Sequence, residues 1–193
     1  MTSWALIVAA TVPVYAAVMP RRPLLRVGMS VMAGFWAIGS GVAMSSFIAS
    51  QDLAFLATSF LAALQVPVFG WVAYKDRLKP ADRARRLLGV VMMFGAIFAF
   101  YLSRLAYPDA VLDPAFRIPC VIVLMTLGFL TTLRRGGNEW LLALPASWAI
   151  IHAAIIVPER PISAMVLITY ALLAYVATNV HRWRVVWSHN HQH

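Results

Sequence analysis

LLGVVMMFGAIFAFYLSRLAY, residues 87–107, decides how the rest of the chain is read. Its first sixteen residues, Leu87 to Leu102, are uncharged and mostly apolar, and one arginine, Arg104, follows near the end. A helix rises about 1.5 Å per residue, so about 20 such residues cross a hydrocarbon core of about 30 Å. A helix on the surface of a soluble domain needs only an apolar stripe, not apolar residues on every side. The stretch reads as a membrane-spanning helix.

Six other stretches share this character, and the predicted spans are residues 4–19, 25–49, 53–74, 87–107, 118–133, 140–157 and 162–181. Composition agrees. The chain is 62% hydrophobic and 12% charged, with mean hydropathy +0.77, where a soluble domain is about 45 to 50% apolar and about 25% charged. The connections MPRRP, SQD, KDRLKPADRARR, PDAVLDPAFR, RRGGNE and PERP are too short for a second domain. The expectation is an all-α fold, a polytopic transmembrane bundle of about seven helices, with residues 1–193 as one integral membrane domain. The first apolar run is expected to be a retained helix, because its basic residues follow it instead of preceding it as in a signal peptide.

A formal charge of +9 and a pI near 10.6 raise the question of nucleic acid. The positions of the basic residues answer it. Thirteen of the sixteen Lys and Arg residues follow spans one, three, five and seven, whereas only Arg104, Arg117 and Arg160 lie on the other face. Basic residues are retained on the cytoplasmic side during insertion, so the chain is predicted N-out and C-in, multi-pass in a bacterial-type inner membrane. The basic pI then reflects topology and an anionic inner leaflet, and no nucleic-acid partner is implied.

Span two carries Ala33, Ala37, Gly41 and Ser45 at helical spacing, with Ser30 and Gly34 on a neighbouring row. Small residues let helix backbones approach closely in lipid, so span two is expected at the centre of the bundle. Pro13, Pro67 and Pro145 interrupt spans one, three and six, each removing one intrahelical hydrogen bond. Such breaks bend helices, and in transporters they free carbonyls to bind substrates.

Few residues inside the spans can carry chemistry, because a charge at the bilayer centre costs about 2.5 to 3.5 kcal/mol. Arg104 lies in the outer half of span four, where it either snorkels to the interface or holds a carboxylate, from Asp52 or from a ligand. His152 shares its depth, and Trp148 lies one turn away on the same face of span six. With Tyr101, Gln65 and Tyr170 at similar or slightly deeper levels, these residues are predicted to line an outward-opening polar pocket for a small anionic or aromatic molecule. The bland alternative for His152 is a hydrogen-bonded packing residue.

Other chemistries fit less well. One haem needs two axial histidines at one depth, and His152 and His181 lie on opposite sides, which argues against a b-type haem. The cofactor, if any, is unknown, since a bound lipid, pigment or quinone leaves no signature in such a sequence. His189, His191 and His193 alternate in the tail, a spacing that chelates a divalent metal weakly from an extended chain, although a disordered or appended end explains them as well. Cys120, the only cysteine, pairs with His152 only in an intramembrane cysteine enzyme, and no peptidase motif accompanies it. HExxH, GxSxG and paired membrane carboxylates are absent, as is a lysine in span seven to hold retinal.

Small size, short loops and few intramembrane ionisable groups point first to a non-enzymatic accessory or assembly subunit of a larger membrane complex, with lipid and other membrane subunits as partners. The alternative is a small-ligand-binding bundle, a permease or sensor module built on the Arg104–His152 pocket. The cysteine enzyme rests on residue types alone.

Overall fold

The computed structural model describes the backbone of residues 3–75, 78–106, 114–134, 140–156 and 161–190, and the side chains of residues 8–75, 78–98, 120–134, 141–154 and 164–179. Among these residues it is all-α, with seven helices: α1 Ser3–Val18, α2 Arg22–Ser50, α3 Leu53–Tyr74, α4 Arg83–Ala106, α5 Pro114–Thr131, α6 Trp140–Ile156 and α7 Pro161–Asn190. Each predicted apolar segment is thus helical. The helix boundaries of α3 are those read from the sequence, whereas α7 runs nine residues past His181 and carries His189 in its last turn, not in an extended chain. His191 and His193 lie outside the described residues.

Two of these helices, α2 and α3, are long and apolar enough to cross a membrane. Val8–Val18, Cys120–Thr131, Leu141–Ala154 and Ala164–Asn179 are shorter apolar helices among the described residues. Many large apolar side chains nevertheless face outward, among them Phe60 and Trp71 on α3, Phe94 and Phe98 on α4, Ile150 on α6 and Met165 on α7.

The fold is organised around α5. Every residue from 122 to 133 is buried, and the helix packs against α1, α2, α4, α6 and α7. Its hydroxyls bond within their own helix, Thr126 to the Ile122 carbonyl at 2.7 Å and Thr131 to the Leu127 carbonyl at 2.8 Å, so neither carries an unpaired polar group into the core. The closest approach is with α4. A Cβ at Gly89 would lie 2.5 Å from the Gly128 carbonyl oxygen, and one at Gly128 would lie 2.9 Å from the Gly89 carbonyl oxygen, so the two backbones touch with no side chain between them.

α2 and α3 form the most extensive pair. Gln51 ends α2 in the left-handed conformation, with φ 58° and its N–H on the Phe47 carbonyl at 2.7 Å. Asp52 then caps α3 by accepting the Ala54 N–H at 2.9 Å. Further along, Ser40 and Ser59 each donate to the other's backbone carbonyl, at 3.0 and 2.9 Å.

The small residues of α2 are divided between its two faces. Ala33 is buried with Leu25, Met29, Met32, Phe35 and Trp36, but Ser30, Gly34, Ala37, Gly41 and Ser45 face outward. α2 packs on α1, α3 and α5 through its other face, which mixes large side chains with the buried Gly28, Gly39 and Ala43.

One end of the bundle collects the basic residues. Gly28 of α2 lies level with Phe129 of α5 and Ala16 of α1, and Gly89 of α4 lies level with Gly128 and Thr132. Arg21, Arg22, Arg26, Arg83, Arg85, Arg86 and Arg134 therefore sit beyond a common level. The connection from α3 to α4 docks there on the end of α5: Ala81 donates to the Thr132 carbonyl at 2.8 Å, Arg134 to the Lys79 carbonyl at 2.7 Å, and Pro80 pairs with Leu133. Arg85 Nη2 donates to the Leu133 carbonyl at 3.0 Å, placing a cation at the negative end of the α5 dipole.

Candidate functional site

The densest polar and aromatic constellation among the described residues lies where α2, α3, α5 and α6 meet. α6 is apolar nearly all round, so its orientation rests on its largest and most polar side chains. Trp148 and His152 are four residues apart and share a face. Their rings stack with centroids 4.3 Å apart and an interplanar angle of 21°. On its other side Trp148 meets Trp36 of α2 edge-on, at 5.9 Å and 74°, the arrangement that sets the positive ring edge of one partner against the negative face of the other.

Both indole N–H groups are used. Trp36 Nε1 donates to Thr126 Oγ1 at 3.1 Å, and the Thr126 hydroxyl passes its own hydrogen to the Ile122 carbonyl. Trp148 Nε1 reaches the backbone carbonyl of Thr58 at 3.4 Å. Each tryptophan thus ties two helices together at a polar atom that would otherwise cost about 1 to 3 kcal/mol to bury unpaired. Trp36, Trp148, His152 and Thr126 are all buried, and together they make a packed aromatic wall.

Gln65, two turns along α3 from Thr58, is fully buried. Its Nε2 donates to the Leu61 carbonyl at 3.4 Å, while Oε1 has no hydrogen-bond partner among the described residues. A helix rises about 1.5 Å per residue, so Gln65 lies roughly 10 Å from Thr58 along α3.

Of the residues expected to share a pocket, the structure brings together Trp148 and His152. Tyr170 and Asp52 make their hydrogen bonds elsewhere. Tyr170 is half-buried on α7 and donates through its hydroxyl to the Met92 carbonyl at 3.1 Å, in the seam with α4. Asp52 is exposed and spends one carboxylate oxygen on the α3 cap. Arg104 and Tyr101 lie in the last turns of α4, and their side chains fall outside the described residues. Cys120 is half-buried on α5. Among the described residues no three His, Cys, Asp or Glu side chains gather where a metal could be held.

Three members of the wall, Trp36, Thr126 and Thr58, were not anticipated. A usable signal existed for Trp36. Tryptophan in membrane helices concentrates at the interfaces, and Trp36 is fourteen residues from either end of α2, so its N–H needs a partner from another helix. Nothing in the sequence identified that partner as Thr126, ninety residues away. Compared with known proteins, the chain matches no protein-family model, no curated protein and no solved structure.

Proposed function

We propose that the chain is an integral, multi-pass membrane bundle, N-out and C-in, that serves as a non-catalytic accessory or assembly subunit of a larger membrane complex. The apolar residues on the outer faces of α2, α3, α4, α6 and α7 support the membrane reading, because water-exposed patches of that extent are rare on soluble monomers. The collection of cations at one end supports the orientation.

The observation that carries the subunit reading is the outward row Ser30, Gly34, Ala37, Gly41 and Ser45 on α2. At Gly34 and Gly41 a Cβ would meet nothing within 4 Å. In lipid such a row lets a second helix approach to backbone contact, and within this chain the comparable contact is made elsewhere, at Gly89 and Gly128. Native mass spectrometry after gentle extraction from the native membrane tests the reading. A membrane protein at fixed stoichiometry, lost on Gly34→Leu with Gly41→Leu while the bundle itself stays folded, is the expected result. A lone monomer or homodimer in the same extract overturns it.

A second reading, a small-ligand-binding bundle, is favoured by one observation: the unpartnered acceptor of Gln65 in the core. A small molecule with a donor group answers that acceptor. Retention of a small molecule by the parent protein and its loss on Gln65→Leu would favour this reading. Higher thermal stability of Gln65→Leu with no ligand in either protein removes it.

A further inference from the structure

The basic end is not uniform. α4 begins with Arg83, and one continuous row on its outer surface then runs Leu87, Val91, Phe94 and Phe98. All four apolar residues are more than half exposed. From Leu87 to Phe98 the row is about 16 Å long at about 1.5 Å per residue, which matches one leaflet, half of a hydrocarbon core of about 30 Å.

Four cations lie at this end of α4. Arg83 and Arg86 come from the first turn of α4. Lys79 and Arg134 are brought together by the backbone bond that docks the α3–α4 connection on α5. Arg83, Lys79 and Arg134 are exposed. Arg86 is half-buried, and its Nε, shielded from solvent, has no hydrogen-bond partner among the described residues. The acid close by, Asp82, accepts the Arg85 N–H at 3.3 Å through its carboxylate. A cationic head continuous with an apolar strip one leaflet long has the shape and charge pattern of an anionic phospholipid turned inside out.

We infer that the head of α4, with Lys79, Arg83, Arg86 and Arg134, binds the phosphate headgroup of an anionic phospholipid whose acyl chain lies along Leu87 to Phe98. The inference rests on the membrane reading above but not on the subunit reading. Guanidinium groups suit the task because their forked donors meet two phosphate oxygens at once. Arg21 and Arg22, at the start of α2 on the same end, provide an internal control of equal charge.

The test uses the full chain reconstituted in vesicles of phosphatidylcholine with a minority of phosphatidylglycerol, then solubilised gently, with the retained lipid identified by native mass spectrometry. Phosphatidylglycerol is expected to be retained in preference to phosphatidylcholine. Arg83→Gln with Arg86→Gln should weaken retention by about fivefold per cation removed, whereas Arg21→Gln with Arg22→Gln should leave it nearly unchanged. Equal losses in the two double variants, or no preference for phosphatidylglycerol in the parent, overturn the site. Displacement of the lipid by millimolar inorganic phosphate overturns it too, in favour of a soluble anion. A chain that fails to enter the vesicles fails the membrane reading itself, a separate outcome visible by flotation before any lipid is measured.

Discussion

Two glycine seams in this molecule show how one residue type serves opposite ends. Between α4 and α5, Gly89 and Gly128 sit with each backbone carbonyl against the other helix, and an added Cβ at either would come within 3 Å of backbone. On the outer face of α2, Gly34 and Gly41 occupy a row of equally small residues, and an added Cβ would meet nothing. The first seam is filled by the chain's own helix. The second is the same kind of surface without an internal partner. A small-residue row therefore marks a helix able to approach another closely, without saying whether the neighbour belongs to the same chain.

That contrast can be broken most severely at the wall beside the inner seam. Trp148→Ala removes a buried indole that touches Trp36, His152 and Thr58. It should cost about 3 to 5 kcal/mol, read as a lowered unfolding midpoint in mild detergent. If Trp148→Ala unfolds no earlier than the parent, the wall is not what holds α6 to α2 and α3.

The inner seam itself comes next. Gly128→Ala must push its methyl toward Met93 and the Gly89 carbonyl, a cost of about 1 to 3 kcal/mol. The same measurement on Gly41→Ala should show little change. Equal behaviour of the two alanine variants would erase the distinction between the seams.

The serine pair of α2 and α3 should contribute less. Ser40→Ala leaves the Ser59 hydroxyl its bond to the Ser40 carbonyl, and interhelical hydrogen bonds in membrane proteins average about 0.6 kcal/mol. A double-mutant cycle over Ser40 and Ser59 is expected near that value, and a coupling of several kcal/mol would mean that these hydroxyls, not the apolar packing around them, set the α2–α3 contact.

The smallest expected change in stability is at Gly34→Leu, which has open space around it. On the subunit reading proposed above, its effect should appear only in the native membrane, as loss of a co-purifying subunit. Retention of that subunit by Gly34→Leu would assign the partner surface to another face.

The helical elements were legible in the sequence, and for α3 so were the terminal residues. Of the predicted pocket, the pairing of Trp148 with His152 followed from their spacing of four on one helix. That Tyr170 would turn to Met92 in the α4 seam and Gln65 into the core was not legible, because each depends on the rotation and offset of a different helix. Leu78 and Ala81 show the same limit in another setting. They sit inside the most highly charged connection of the chain, yet both are buried where it docks on the end of α5.

What the sequence determined by itself is where the chain is helical. Long uncharged runs must satisfy their backbone N–H and C=O groups internally wherever water is absent, and the helix does so within a single segment. Which way each helix faces was decided only by the tertiary structure. α3 and α6 are apolar nearly all round, so no polar face announces an outside and burial carries no directional signal. Their rotation is set instead by a few shape and hydrogen-bond matches, Trp36 to Thr126, Trp148 to Thr58 and Ser40 to Ser59. Such matches join residues that lie tens of positions apart, beyond the reach of any local pattern.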